Sequence, residues 1–123
     1  MFLFTTFSYE PVRLFTVKEA IDFIHSHHGL ACLAHPWLCS NAMEVCEDTL
    51  KLQVDGMECF PPRHHASFGT EQFVTFAKEH CLFCSGGSDF HWAENCEVDV
   101  GDNCFPEEEA IHFLDVLNKH GII

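Results

Sequence analysis

The segment Asp89-Phe90-His91 places two metal-ligating residue types two positions apart. In an extended segment, residues i and i+2 point to the same side, so this carboxylate and imidazole can bind one cation together. A second imidazole, that of His35, follows another predicted strand. Two imidazoles and one carboxylate suit Zn²⁺, Mn²⁺ or Fe²⁺ and leave coordination positions open for water. Metal-assisted hydrolysis requires an open position of this kind.

A purely structural interpretation of the same residues stays open on spacing alone. His35 could satisfy a buried backbone carbonyl, and Asp89 could cap a turn. The count of ten histidines in 123 residues is unusual. Because His is the commonest metal ligand and the usual acid–base group, that count directs attention to the chemical interpretation.

Alternating helices and strands are predicted to position these residues. Thr16-Val17-Lys18-Glu19 has the form of a capping box, which predicts a helix to about His28 that ends at Gly29. The apolar run 30–34 predicts a strand buried on both faces. Further helices are predicted over 41–52, 70–80 and 106–120, and further strands over 57–60 and 82–85. An Asn41 cap, a Thr70 cap and Pro106 in the first turn mark the helix starts.

Three strands separated by helices imply parallel, right-handed βα units, hence an α/β fold. Ligand sites in such folds lie beyond the carboxyl ends of the strands. The segments that follow the three predicted strands contain His35, residues 61–65 and residues 88–91, and each of them includes histidine. The sequence therefore predicts one site at that edge of the sheet.

Composition limits the function classes. The chain has 47% hydrophobic residues, which predicts one packed domain, and a formal net charge of −13, which disfavours non-specific nucleic-acid binding. A divalent metal would let such a chain attract an anionic substrate.

Residues 30–34 form the longest aliphatic run, so no membrane span is expected. Residues 1–7 lack a basic leader, which favours a cytoplasmic protein whose eight cysteines remain free thiols.

Three segments carry a family resemblance. Gly29-Leu30-Ala31-Cys32-Leu33-Ala34-His35-Pro36 resembles the "G-G-x-x-V-x-A-H-P" segment of polymerase and histidinol phosphatase (PHP) domains. Asp55-Gly56-Met57-Glu58-Cys59-Phe60, followed by Pro61-Pro62-Arg63-His64, is similar to their "D-G-I-E-V-y-h-p-x-H" segment. Gly86-Gly87-Ser88-Asp89-Phe90-His91 matches their "G-G-S-D-F-H". The resemblance extends from about residue 16 to residue 117.

The resemblance implies a distorted (β/α)7 barrel that holds two or three divalent ions (Mn, Zn, Mg or Fe) at its strand ends. Such domains cleave phosphate esters with metal-activated water. By motif position, His35, Asp89 and His91 would be catalytic metal ligands. His64 would lie near the metals or the substrate phosphate. Arg63 could bind two phosphate oxygens through its guanidinium fork, or be a solvated loop residue.

The family's opening "H-x-H" motif and its other early ligands have no counterpart before Thr16. Residues 1–123 are therefore expected to form a single partial PHP domain, its C-terminal half. One hypothesis is a phosphoesterase fragment that acts on nucleotides or other small phosphate esters. The alternative is a non-catalytic remnant or interaction module, which binds metal weakly or needs a partner chain or the missing N-terminal half.

Four other groups of residues received weaker assignments. Glu58 could line the site or hold a ligand or the backbone from the second coordination sphere. His25, His27 and His28 are expected on a helix surface, and His65 in solvent. Cys81 and Cys84 have CxxC spacing but no matching second pair, so neither zinc binding nor redox chemistry is expected there.

Overall fold

The computed structural model describes residues 15–63, 65, 70–91 and 99–123. In order along these residues come α1 (Val17–Ser26), β1 (Cys32–Leu33), a short 3₁₀ helix (Pro36–Leu38), α2 (Ala42–Lys51), β2 (Gly56–Phe60), α3 (Glu71–Glu79), β3 (Phe83–Gly86) and α4 (Glu107–Lys119). The alternation of helices and strands is the predicted one. The fold of the described residues is therefore α/β.

The start of α1 follows directly from its sequence. The Thr16 hydroxyl accepts a hydrogen bond from the Glu19 backbone N–H at 3.2 Å, and the Glu19 carboxylate accepts one from the Thr16 N–H at 2.9 Å. These reciprocal bonds satisfy two amide groups that a helix start leaves without partners. The predicted capping box is confirmed.

The other helix starts differ from their predicted capping in detail. Asn41 precedes α2, but its side-chain amide donates to the Glu44 carboxylate instead of accepting from a backbone N–H. Thr70 precedes α3 with helical φ and ψ angles and makes no side-chain cap. Pro106 lies just before α4 rather than in its first turn. The existence of these helices thus depends on packing more than on their caps.

The strands form one sheet in the order β1-β2-β3, and both neighbouring pairs are parallel. Cys32 pairs with Gly56, and Gly56 pairs with Phe83, so the strands begin at the same level. The apolar side chains of β2 and β3 pack with those of α3, including Phe73, Phe76 and Ala77. Since all three strands run the same way, their carboxyl ends share one edge of the sheet.

Strand β1 is shorter and more exposed than the sequence predicts. It contains only Cys32 and Leu33, and both Cys32 and the following Ala34 are exposed. Among the described residues β1 pairs with β2 alone, so it is an edge strand with one neighbour. The expectation of burial on both faces is therefore wrong for β1. It holds better for β2, in which only Glu58 is less than fully buried.

Asp55 joins the opposite, amino-terminal edge of the sheet to α1. Its Oδ2 accepts from the Ala31 backbone N–H at 2.7 Å and lies 2.7 Å from His25 Nε2. His25 is accordingly half-buried, whereas His27 and His28 are exposed. His27 and His28 are exposed as expected, but they follow the last residue of α1, Ser26, and only His25 belongs to the helix. None of the helices in the described part of the chain has the length and apolar character needed to cross a bilayer.

Candidate functional site

The parallel register brings the predicted site residues to one edge of the sheet. His35 comes two residues after β1, Arg63 three residues after β2, and Asp89 three residues after β3. The last paired residues of β2 and β3, Phe60 and Gly86, lie opposite each other. The loops that carry the candidate residues therefore begin side by side.

Gly86 packs closely against β2 where the loop after β3 begins. A Cβ at Gly86 would lie 2.8 Å from Phe60 Cβ and 2.9 Å from the Phe60 carbonyl oxygen, so only glycine fits there. Ser88, two residues after Gly86, is buried, and Asp89 follows it with a φ of 54°. A positive φ is uncommon outside glycine, but Asp tolerates it better than most residues.

Asp89 and His91 lie close together, although Asp89 has a left-handed φ and is not part of the extended segment from which their common direction was predicted. The Nδ1 of His91 lies 2.6 Å from the Asp89 backbone oxygen and 3.8 Å from Asp89 Oδ1. Their side chains are 56% and 58% exposed, so both can reach a solvent-borne cation or substrate. A carboxylate beside an imidazole is a donor pair that fits a divalent transition metal.

His35 is held through its backbone at the end of β1. Its N–H donates to Glu58 Oε2 at 2.7 Å, and its φ and ψ angles of 33° and 55° are left-handed. The side chain is exposed. No three metal-ligating side chains among the described residues form a set around one point. Ligation by His35 together with Asp89 and His91 thus remains a prediction.

Arg63 is fastened to the segment that precedes α4. Its Nε lies 3.0 Å from Asp102 Oδ1, and the neighbouring Pro62 forms an antiparallel bridge with Asn103. The Arg63 side chain is 69% exposed, so its guanidinium group faces the solvent at the carboxyl edge of the sheet. Nothing in the sequence indicates that Asp102 would contact the loop that follows β2.

The remaining sequence-predicted residues near the site have mixed outcomes. His64 lies outside the described residues. His65 is half-buried rather than exposed, and its N–H donates to the Pro62 carbonyl at 2.8 Å. The seven cysteines of the described part are free thiols, and in the CxxC pair Cys81 is exposed while Cys84 is buried.

Cys32 lies close to the site but is a poor nucleophile. Its Sγ is 3.3 Å from Ser85 Oγ across the sheet. Desolvation raises the pKa of the Cys32 thiol to about 11, the Ser85 hydrogen bond opposes that shift, and the negative charge of Glu58 adds to it. A thiol with such a raised pKa stays largely protonated at neutral pH, which disfavours its use as a nucleophile.

A cavity of about 460 Å³ lies against the face of the sheet that carries Cys32, Glu58 and Ser85. Its apolar wall includes Phe83 and Phe113, whose ring centroids lie 5.0 Å apart with the rings tilted by 38°. A larger cavity of about 650 Å³ is lined by residues that precede the strands, including Asp55 and Leu82. That larger cavity lies at the amino-terminal edge, away from Asp89 and His91.

Comparison with known proteins supplies the family. No family model matches the chain. The chain is 35% identical over 91 residues to the "5'-3' exoribonuclease Rnm" of Salmonella typhimurium strain LT2 and 34% identical to the protein of that name from Escherichia coli K12. Its fold matches, with a TM-score of 0.63 and 22% identity, a Bifidobacterium adolescentis protein described as a "putative metal-dependent phosphoesterase". The resemblance to the PHP family is confirmed.

The matched regions cover unequal shares of the proteins. Each exoribonuclease alignment covers 68% of this chain, and the chain spans only 29% of either relative's length. The structural match covers 92% of this chain and 41% of the phosphoesterase. The chain is thus related to PHP proteins through a part of their fold, and its similarity is to phosphoesterase and nuclease proteins.

Proposed function

We propose that this chain is part of a metal-dependent phosphoester hydrolase. The observation that carries the proposal is the pairing of Asp89 with His91 at the end of β3, at the same sheet edge as His35. The relation to a phosphoesterase fold and to exoribonucleases supports the same chemistry.

Three side chains, those of His35, Asp89 and His91, would hold a divalent ion such as Mn²⁺, Zn²⁺, Mg²⁺ or Fe²⁺. Their nitrogen and oxygen donors fit such an ion, and the exposure of Asp89 and His91 leaves room for water and substrate. A bound ion would lower the pKa of a water molecule and offset negative charge on phosphate oxygens. That offset matters in a chain with a formal net charge of −13.

Arg63 is the proposed substrate-binding cation. Its Nε is paired with Asp102, and the side chain is 69% exposed, so the outer edge of the guanidinium group would be the part that binds a ligand. Two parallel N–H groups on that edge match two oxygens of a phosphate. His64, the next residue, is proposed to bind the same phosphate on the strength of the family motif alone.

The proposed substrate is a nucleotide, the phosphorylated end of a short RNA, or another small phosphate ester. The end of an RNA is included among these substrates because the chain is similar to two exoribonucleases. The acidity of the chain argues against non-specific binding along a polynucleotide.

We further propose that the described sheet is one part of a (β/α)7 barrel in a single partial domain, which an N-terminal half or a partner chain completes. We place the protein in the cytoplasm, in keeping with its seven described free thiols.

The test combines metal binding with product release. We expect saturable Mn²⁺ binding by calorimetry, and metal-dependent release of phosphate from nucleoside 3′,5′-bisphosphates or of mononucleotides from a 5′-phosphorylated RNA. The double variant Asp89→Ala/His91→Ala should lose both. The matched control is His112→Ala/Asp115→Ala, which removes the same two residue types from the exposed surface of α4. Product release that survives in the Asp89/His91 variant would refute the proposal.

The alternative function is a non-catalytic remnant or interaction module. Its supporting observation is apolar exposure: Phe15 and Phe23 near the start of the described chain, and Ile111 and Leu114 on α4, are more than half exposed. Such surfaces mark sites of association. An absence of saturable Mn²⁺ or Zn²⁺ binding at micromolar protein would favour this alternative over the hydrolase.

A further inference from the structure

Glu58 connects the two loops that carry the candidate ligands. It lies on β2, the central strand, opposite Ser85 of β3, and it lines the same cavity as Cys32 and Ala34. Its Oε2 accepts from the His35 N–H at 2.7 Å. Its Oε1 lies 3.5 Å from the place where a Cβ on Gly87 would stand. One carboxylate therefore touches the chain after β1 and faces the chain after β3.

The backbone of His35 needs such a contact. Left-handed φ and ψ angles are unfavourable for a non-glycine residue and persist only when the surroundings enforce them. Pro36 follows His35, and a residue before proline is normally driven to extended angles. His35 departs from both preferences, with φ 33° and ψ 55°. The short bond from its N–H to a carboxylate is a charge-assisted contact of the kind that can hold it there.

We propose that Glu58 is a positioning residue that fixes the direction in which His35 leaves β1 and its spacing from the loop of Asp89 and His91. This role rests in part on the proposed function, because it concerns the same sheet edge. Glu58 acts by accepting a hydrogen bond from the His35 backbone N–H, and its carboxylate lies beside Gly87. Its removal should release His35 from the left-handed conformation and weaken metal binding, while leaving the sheet intact.

Three variants of Glu58 separate the effect of side-chain length from the effect of the negative charge. Glu58→Gln keeps an acceptor oxygen at the same distance and loses the charge. Glu58→Asp keeps the charge and is one methylene too short to reach the His35 N–H. Glu58→Ala loses both. Glu79→Ala, which removes an exposed carboxylate near the end of α3, is the matched control.

Two readouts decide the proposal. The first is the amide proton of His35, followed by ¹⁵N–¹H NMR and hydrogen exchange without metal. We expect a downfield, protected signal in the wild type, Glu58→Gln and the control, and an upfield, fast-exchanging one in Glu58→Ala and Glu58→Asp. The second is Mn²⁺ affinity by calorimetry, which should fall about 10- to 100-fold in the Ala and Asp variants and least in Gln, the range typical of residues that orient metal ligands.

A His35 amide that is equally protected in Glu58→Ala and the wild type would overturn the proposal, as would unchanged Mn²⁺ affinity in that variant. Should Glu58→Ala fail to fold, the comparison of Glu58→Asp with Glu58→Gln gives the same decision. If the wild type binds no Mn²⁺, the proposed function fails, and the His35 amide alone decides the role of Glu58.

Discussion

Replacement of Gly56 by alanine tests whether the start of the β2–β3 pair is as tightly packed as the structure indicates. Gly56 begins β2, and the ring of Phe83 from β3 lies directly over it. A Cβ at position 56 would lie 2.3–2.4 Å from three atoms of that ring. Carbon atoms in contact prefer about 3.5–4.0 Å, so the ring would have to move by about 1 Å.

The ring has little room for that movement. Phe83 is 5% exposed, and the centroid of the Phe113 ring lies 5.0 Å from the centroid of the Phe83 ring. Overpacking of a filled core costs about 1–3 kcal/mol. For a domain of this size that cost lowers Tm by roughly 4 to 20 °C, if unfolding is two-state.

The assay is thermal and urea unfolding followed by circular dichroism. Gly87→Ala is the matched control, because its new Cβ would meet its nearest neighbour at an ordinary 3.5 Å. The double variant Gly56→Ala/Phe83→Leu should lose less unfolding free energy than the two single variants lose in sum, since the shorter side chain makes room for the methyl group. A Gly56→Ala protein as stable as the wild type would show that Phe83 does not occupy the space over Gly56.

Three further predictions concern α1, α3 and β1. Thr16→Ala should lose the reciprocal bonds with Glu19 and about 0.5–2 kcal/mol of unfolding free energy in urea, with Thr16→Ser retaining most of it; equal losses in both would contradict the capping role. The Glu109 carboxylate, 2.8 Å from Lys78 Nζ, raises the pKa of Lys78 above its ordinary value. The pair therefore stabilises the fold below the ordinary lysine pKa of about 10.4, and this contribution disappears as pH rises through the raised value. Lys78→Met should lower Tm at pH 7, and a difference from the wild type that fails to shrink toward pH 11 would count against the ion pair. Iodoacetamide labelling of Cys32, followed by mass spectrometry, should be slow at pH 7 and accelerate toward its pKa of about 11; rapid labelling at pH 7 would mean that the thiol is not desolvated.

The features that the sequence predicts well depend on neighbouring residues or on periodicity. The Thr16-Val17-Lys18-Glu19 pattern specifies a cap within one turn, and the structure has it. Asp89 and His91 lie close together, as their separation of two residues indicates, but Asp89 has a left-handed φ of 54° and not the extended backbone from which this was predicted.

The features that the sequence leaves open depend on contacts between distant segments. Glu58 reaches His35 only because β1 and β2 are parallel neighbours in a particular register. The rule for residues before proline predicts extended angles for His35, and the bond to Glu58 accompanies the opposite outcome. The partner of Arg63, Asp102, lies beyond a helix and a strand in sequence, and no local pattern connects the two.

The contacts between the β2 loop and the chain before α4 make ionic strength a selective variable. Arg63 and Asp102 form an exposed ion pair, which dissolved salt screens over a distance of about 8 Å at physiological concentration. The sheet beneath is held by backbone pairing and by apolar side chains such as Phe60 and Phe105, on which salt screening has little effect. Rising salt should therefore weaken this ion pair before it affects the strands, while the Pro62–Asn103 bridge and the Phe60–Phe105 contact keep the two segments together.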